Sequence, residues 1–413
     1  MDSGSIAWIL TSASLVLLMT PALAFFYGGM SRTKSVLNMM MMSFSAIGVV
    51  GVLWVVVGFG ISAGSDSAGG LFGSPSGEWF MQGIFQNEDG LAVILAAFGG
   101  TFAIITVALI SGSVAERMKF SAWIVFAAIW GVVVYAPVSH WVWGGGLLSS
   151  DHLFSDFLTG PQDIAGGTVV HINAGMAGLV LALILGVRKG FGKEPMRPHN
   201  LPFVMLGAAL LWFGWFGFNA GSEWAADNFA AQIWINTLVA PSAAMLSWLL
   251  VEKIRDGKAT SLGAASGVVA GLVAITPAAL SVSPLGAIVI GIIAGAACAM
   301  AVGLKYKFGY DDSLDVVGVH LVGGLVGTLL IGFLSTDTSA YDDPGLFYGG
   351  GWTLLGAQAV AALIVIVYSG IMTAIIAYAI KYTIGLRVSE DVEVAGIDFA
   401  EHGETAYEEA NQR

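Results

Sequence analysis

Two stretches of this chain could carry proton chemistry: Asp163-Ile164-Ala165-Gly166-Gly167-Thr168-Val169-Val170-His171 and Asp312-Ser313-Leu314-Asp315-Val316-Val317-Gly318-Val319-His320. In each, an aspartate precedes a histidine by eight positions inside an otherwise apolar run. Eight helical steps advance about 12 Å, against about 15 Å for half a hydrocarbon core. An aspartate at the membrane surface would therefore set its histidine close to the midplane. Neighbouring imidazoles can share a proton, because each ring nitrogen donates or accepts according to tautomer. The alternative is that each histidine only satisfies a backbone carbonyl. Two at matched depth in related runs favour function, since an ionisable group in the membrane faces the bundle interior and seeks a partner.

The remaining histidines, His140, His152, His199 and His402, fall towards span ends, in loops or in the tail. Asp163 follows Pro161-Gln162, where a helix N-cap is expected; a carboxylate there would also favour a cation, and the two roles are compatible. Aromatic residues gather in Phe98-Gly99-Gly100-Thr101-Phe102, at Tyr135, in Trp141-Val142-Trp143 and in Trp212-Phe213-Gly214-Trp215-Phe216-Gly217-Phe218, with Ser222 close behind. Most such residues are lipid-facing belt or packing. Some could hold a cation, worth about 0.5 to 2 kcal/mol per aromatic face.

Other chemistries lack their residues. Gly192-Lys193 is followed by Glu194 without the upstream glycine, so no phosphate-binding loop is present and an ATP-driven pump is not expected. No lysine falls inside an expected span, which argues against a Schiff base. Ser111 and Ser113 have no histidine to activate them, and His171 with His320 gives two metal ligands without a third. The chain is read as no enzyme, with no metal and no cofactor. No basic patch suggests nucleic acid.

The elements that must position these residues follow from composition. Of 413 residues 56% are hydrophobic and 11% charged, too apolar for a soluble domain, in which about 25% are charged. The 56 glycines fit closely packed membrane helices. The lone Cys298 excludes an intramolecular disulfide, and the net charge of −12 sits largely in loops and tail, so it identifies no partner. Met1-Asp2-Ser3-Gly4 lacks a positive n-region, so the first apolar run is expected to be a retained span.

Apolar runs fall near residues 5 to 29, 36 to 60, 91 to 113, 120 to 147, 163 to 186, 200 to 222, 231 to 251, 260 to 281, 285 to 304, 314 to 334 and 352 to 380. Positive residues follow odd-numbered runs alone: Arg32, Lys34, Arg117, Lys119, Arg188, Lys189, Lys193, Arg197, Lys253, Arg255, Lys258, Lys305, Lys307, Lys381, Arg387 and Arg413. Connections after even runs carry acids, among them Asp66, Glu78, Glu88, Asp89, Asp151, Asp156, Glu223, Asp227 and Asp337. Since Lys and Arg collect in cytoplasmic loops, an all-α polytopic fold of eleven spans is predicted, N-terminus outside and C-terminus inside. The two aspartate-to-histidine stretches then enter from opposite faces, five spans apart, as two inverted five-helix repeats with one closing helix. Residues 1–384 form the membrane domain and 385–413 a polar cytoplasmic tail.

Asp163 to Asn173, Phe25-Phe26-Tyr27-Gly28-Gly29, Trp215 to Ser222, Asp315 to His320 and Gly385-Leu386-Arg387-Val388 together resemble the ammonium transporter (Amt/MEP/Rh) family, in its bacterial Amt branch. The resemblance implies a homotrimer in the cell (plasma or inner) membrane with a narrow pore through each protomer. It implies that Trp143, Phe102 and Ser222 form an outer site for ammonium or methylammonium, Phe102 and Phe218 a stacked gate, and His171 and His320 the paired pore histidines. It further implies that Asp163 supports substrate entry, that Trp215 lines the pore, and that the tail couples to a cytosolic PII-type protein. Ile164 and Gly99 depart from residues usual in the family, Phe and Gln, and touch none of these roles. The mechanism expected is capture of the cation, its deprotonation, passage of ammonia, and separate proton transfer. Passive conduction of ammonia or of another small neutral molecule competes with it. A sensor would use the same pore and tail, but the stretch from Gly385 is too short for a signalling domain.

Overall fold

The computed structural model describes residues 1–87, 90–155 and 159–407; Glu88, Asp89 and Asp156, and the tail beyond Tyr407 with Arg413, lie outside these. Among the described residues ten helices are long and apolar enough to cross a bilayer: α1 Ser3–Met30, α2 Thr33–Ala63, α3 Gly90–Val114, α4 Phe120–Trp143, α5 Gly167–Leu185, α6 Leu201–Glu223, α7 Asn228–Asp256, α9 Pro284–Phe308, α10 Val317–Leu334 and α11 Thr353–Thr383. Between α7 and α9 lies the apolar α8, Ser261–Ile275, which completes eleven.

The sequence extends the eighth run to residue 281, whereas α8 stops at Ile275 after 15 residues. Pro277 has no N–H to continue the ladder, and the turns after it serve neighbouring helices. The Pro277 carbonyl accepts from Ile164 N (3.3 Å), and Asn236 Nδ2 donates to the carbonyls of Ala279 and Val282 (both 2.8 Å).

Side-chain caps start several helices, as their sequences dictate. Asp2 accepts from Gly4 N and Ser5 N on α1, Asp227 from Ala230 N on α7, and Thr260 from Gly263 N on α8.

Contacts sort the connections onto two faces. On one, Glu116 pairs with Arg32 (2.6 Å) and Arg188 (3.0 Å), Arg188 pairs with Asp311 (2.9 Å), Arg255 reaches the Ala299 carbonyl (2.8 Å), and Val388 N donates to the Arg117 carbonyl (3.0 Å). Every connection after an odd-numbered helix, with the tail, thus meets at this tail face. At the other, the Asp163 face, Ala226 N reaches Ser5 Oγ (3.2 Å), His140 reaches Asp66 (3.2 Å), Ser335 Oγ reaches Gln162 (3.2 Å) and Thr336 N reaches the Ser281 carbonyl (2.9 Å). Each of the eleven segments therefore runs between the two faces, α8 together with the turns that follow Ile275.

α5 and α10 lie antiparallel. Gln162, ahead of α5, meets Ser335 at the end of α10, while Arg188, beyond α5, is bound to Asp311, ahead of α10. They hold matching places in two five-helix halves of opposite direction. α11 closes the set against α4 and α5, through Trp130 Nε1 to Thr373 Oγ1 (3.0 Å) and Ser369 Oγ to the Asn173 carbonyl (2.8 Å). Small residues make the approach possible: a Cβ on Gly175 of α5 would lie 2.5 Å from Leu321 N of α10, and one on Gly327 of α10 1.9 Å from the Ala274 carbonyl oxygen of α8.

The tail turns back under the bundle. Asp398 accepts from Leu37 N (3.0 Å) and Asn38 N (2.8 Å), His402 Nε2 faces Asn38 Oδ1 (3.0 Å), and Arg387 spans the Leu185 and Val187 carbonyls to reach Glu393 (2.6 Å).

Candidate substrate path

Both histidine helices begin alike. Asp163 Oδ1 accepts from Gly166 N and Gly167 N (both 2.7 Å), while Oδ2 accepts from Thr168 N (2.8 Å) and the Thr168 hydroxyl. Gly166 sits at φ +112°, a conformation suited to glycine. Its carbonyl accepts from Val170 N and His171 N (both 3.0 Å), opening α5 with a π-turn over Gly167–Ile172. At α10 the Asp312 carboxylate accepts from Val316 N (3.1 Å), Val317 N (2.7 Å) and Ser113 Oγ (2.9 Å), and a π-turn again spans the histidine, over Val317–Leu321. The wider turn is a frequent device for presenting a functional side chain.

The two aspartates thus launch their helices from opposite faces, and the histidines meet. His171 Nδ1 and His320 Nδ1 lie 3.2 Å apart, with ring centroids 5.3 Å apart. One Nδ1 must carry the hydrogen and the other accept it. Both residues are buried, 1% and 3% exposed, and His171 Nε2 has no partner among the described residues. Trp215 lies parallel to His171 at 5.5 Å. Its indole N–H is taken by Thr276 Oγ1 (2.8 Å), so it offers the path a ring face and no donor.

Beside the two rings is a cavity of about 10 Å³, walled otherwise by apolar groups such as Leu23, Ile105 and Val269 and by Trp215 and Phe218. That is room for roughly one water-sized molecule.

Towards the Asp163 face, Phe218 stacks on Phe102 with centroids 4.1 Å apart and planes 12° from parallel. Phe102 also meets Trp143 edge-on at 6.0 Å. The Trp143 indole N–H donates to the Asp163 carbonyl (2.8 Å). Ser222, one turn beyond Phe218, donates its hydroxyl hydrogen to the Phe218 carbonyl (2.9 Å), which leaves the oxygen lone pairs free to accept. Trp143 and Ser222 are partly exposed, whereas Phe102 and Phe218 are buried. Contacts thus lead from the partly exposed Trp143 and Ser222 through the buried phenyl stack to the two imidazoles.

Residues 7–407 match the Ammonium Transporter Family. The chain belongs to that family. An ammonium transporter of Mycobacterium bovis is 54% identical, the match covering 98% of this chain and 91% of that protein. Mep2 of Saccharomyces cerevisiae has a crystal structure that superposes with a TM-score of 0.89 at 31% identity, over 100% of this chain and 93% of that one. A structure titled Sensor Amt Protein superposes with a TM-score of 0.86 at 27% identity, over 97% and 98%.

In this member of the Ammonium Transporter Family, the residues singled out from sequence are joined by successive contacts: Asp163 to Trp143, Trp143 to Phe102, Phe102 to Phe218, Phe218 to Trp215 and His171, and His171 to His320, with Ser222 bonded to the Phe218 carbonyl. Of the two roles weighed for Asp163, capping is the one its geometry displays: the residue is 5% exposed and its oxygens are occupied by the start of α5. Others were missed. Thr168 and Thr276 fix Asp163 and Trp215, and their hydroxyls give no pattern in sequence. Tyr341, from the connection after α10, is exposed and lies within electrostatic reach of the Asp163 and Glu223 carboxylates. At the tail face, burial opposes charge on Asp311, yet its bond with Arg188 holds the carboxyl below the usual carboxylate range.

Proposed function

We propose that this chain moves ammonium through the cell membrane by taking the cation apart. Ammonium, or methylammonium, is held at Trp143, Phe102 and Ser222, loses its proton, passes the Phe102 and Phe218 stack as the neutral amine, and crosses beside His171 and His320. The observation that carries this is the imidazole pair, 3.2 Å apart, next to a cavity with room for one small molecule. A bare small cation in such surroundings costs on the order of 20 kcal/mol by Born estimate, and two aromatic faces return about 0.5 to 2 kcal/mol each. A neutral amine escapes that cost, and a ring nitrogen can bond to it.

The proton crosses separately, through the imidazole pair, so net transport moves charge. Asp163 acts by holding the start of α5 and, through its carbonyl, Trp143. In the assembly proposed, the chain is a homotrimer with its Asp163 face outside and its tail in the cytoplasm, where residues from Gly385 onward meet a PII-type regulator. The ion pair of Lys189 with Glu390 and the bond from Lys189 N to Glu393 tie the tail to the basic connection after α5 and support that placement.

An ammonium jump across proteoliposomes should give a current carried by the protein. Amine uptake without current would replace this reading by passive conduction of ammonia. Loss of methylammonium uptake in both His171→Ala and His320→Ala is expected, with the protein still folded.

A further inference from the structure

We infer that His140 is a positioning residue for Trp143, acting as an imidazolium locked against Asp66, and that the proton on this ring tunes affinity at the proposed outer site. The inference rests on the transport function proposed above.

The ring of His140 is 0% exposed. Its Nδ1 lies 3.1 Å from the Ser62 carbonyl oxygen and its Nε2 3.2 Å from Asp66 Oδ1. Both neighbours are acceptors, and a neutral imidazole has a single N–H to offer. Only the protonated ring satisfies both. On its far side the Asp66 carboxylate is approached by His152 Nε2 at 3.6 Å. Asp66 on the ribbon and His152 on the connection after α4 are the titratable groups facing this lock. The bond from His140, ahead of the charge on His152, holds the Asp66 carboxyl below the usual carboxylate range.

The lock sits where it can move Trp143. Asp66 begins the short ribbon formed by β1, Asp66–Ser67, and β2, Phe72–Gly73, and this segment carries the end of α4. Trp141 Nε1 donates to the Leu71 carbonyl (2.7 Å), Leu147 N to the Gly70 carbonyl (2.8 Å), and Ser139 Oγ meets Ser62 Oγ (2.7 Å). The His140 carbonyl accepts from Gly144 N (2.9 Å) and Gly146 N (3.0 Å), shaping the turn that ends α4 at Trp143. There is no slack around the ring: a Cβ on Gly144 would lie 2.5 Å from His140 Nδ1 and 2.4 Å from the Ser62 carbonyl oxygen.

When the ring loses its proton it keeps a single N–H, which the Asp66 carboxylate holds as the stronger acceptor, and the Nδ1 lone pair is left facing the Ser62 carbonyl oxygen. The contact with Ser62 becomes repulsive, the join between α2 and the end of α4 loosens, and Trp143 loses its backing. Rising pH on the Asp163 side therefore weakens substrate capture. Methylammonium itself remains a cation across this range, so its own charge does not contribute.

The test is the KM for methylammonium in proteoliposomes, with the pH on the Asp163 side stepped from about 5 to about 8, the span over which histidines titrate. KM is expected to rise several-fold with pH in the parent. Asp66→Asn, which lets a neutral His140 bond through either amide atom, is expected to flatten the KM profile, as is His140→Gln; His152→Gln should keep the parent slope. A flat profile in the parent, or the parent slope persisting in Asp66→Asn, overturns the inference. If His140→Gln fails to fold, Asp66→Asn still decides. Absence of any saturable uptake by the parent would instead strike the transport function itself.

Discussion

The indole of Trp143 donates to the backbone carbonyl of Asp163 (2.8 Å), so one residue both starts the helix that bears His171 and fixes the aromatic ring at the mouth of the path. The carboxylate serves the helix and the carbonyl serves the ring. This divides the effects of changing Asp163. Asp163→Ala removes the acceptor of three backbone N–H groups and should destabilise the protein by about 1 to 3 kcal/mol, the cost of losing a cap and stranding buried donors. Thermal melts in detergent read it. Uptake should fall with stability in Asp163→Ala and partly recover in Asp163→Asn, whose single amide oxygen can cap some of those groups. A melting temperature unchanged in both variants, with uptake abolished, would mean that charge at the mouth, and not capping, is what the residue supplies.

The π-stack of Trp215 over His171 depends on Thr276, which takes the indole N–H and passes its own hydrogen to the Leu272 carbonyl (2.8 Å). Thr276→Val keeps the shape and strands a buried donor, at about 1 to 3 kcal/mol. Transport should drop, and Thr276→Ser should restore it. Equal loss in the valine and serine variants would point to the threonine methyl group, and packing, as the cause.

How much of this was legible in the sequence follows from distance along the chain. The eight-residue interval from aspartate to histidine could be read directly because the cap and the side chain it places belong to one helix. The number of spans and their alternation between two faces could be read because Lys and Arg fall only in every second connection. The Phe102 and Phe218 stack joins residues on α3 and α6, and only the family resemblance paired them. The lock between His140 and Asp66 spans 74 positions, and nothing in the neighbourhood of His140 announces it beyond its place near a span end. Likewise Arg188 meets Asp311 across 123 positions. The premature end of α8 has a local sign in Pro277, but an apolar run masks it, because hydropathy measures what surrounds the chain and not whether its N–H groups are paired.

Phe218 touches both partners of the proposed gate and path, with Phe102 at 4.1 Å and Trp215 at 5.4 Å. Phe218→Ala should cost about 3 to 5 kcal/mol, as for other buried phenyl groups, and let Phe102 and Trp215 relax into the space. Reduced uptake with a lower melting temperature is expected. Phe218→Leu, which leaves less of a void, should be the milder change in both measurements. If Phe218→Ala instead transports faster at full stability, the stack is a barrier and not a support for Trp215.

The distance between the two imidazoles is set by glycine. A Cβ at position 175 would sit 2.5 Å from Leu321 N and 2.7 Å from Leu321 Cα, backbone atoms beside His320 that cannot step aside as a flexible side chain would. Gly175→Ala must therefore push α10 away from α5. Overpacking of this kind typically costs about 1 to 3 kcal/mol, and the shift falls where the two Nδ1 atoms share their hydrogen. Uptake should be lost in Gly175→Ala even in preparations that remain monodisperse and cooperatively folded. Gly48→Ala on α2, where no atom lies within 4 Å of an added Cβ, is the matched control and should transport as the parent does. Parental uptake in Gly175→Ala would show that the histidine pair tolerates separation, and the proposed proton path between the rings would fail with it.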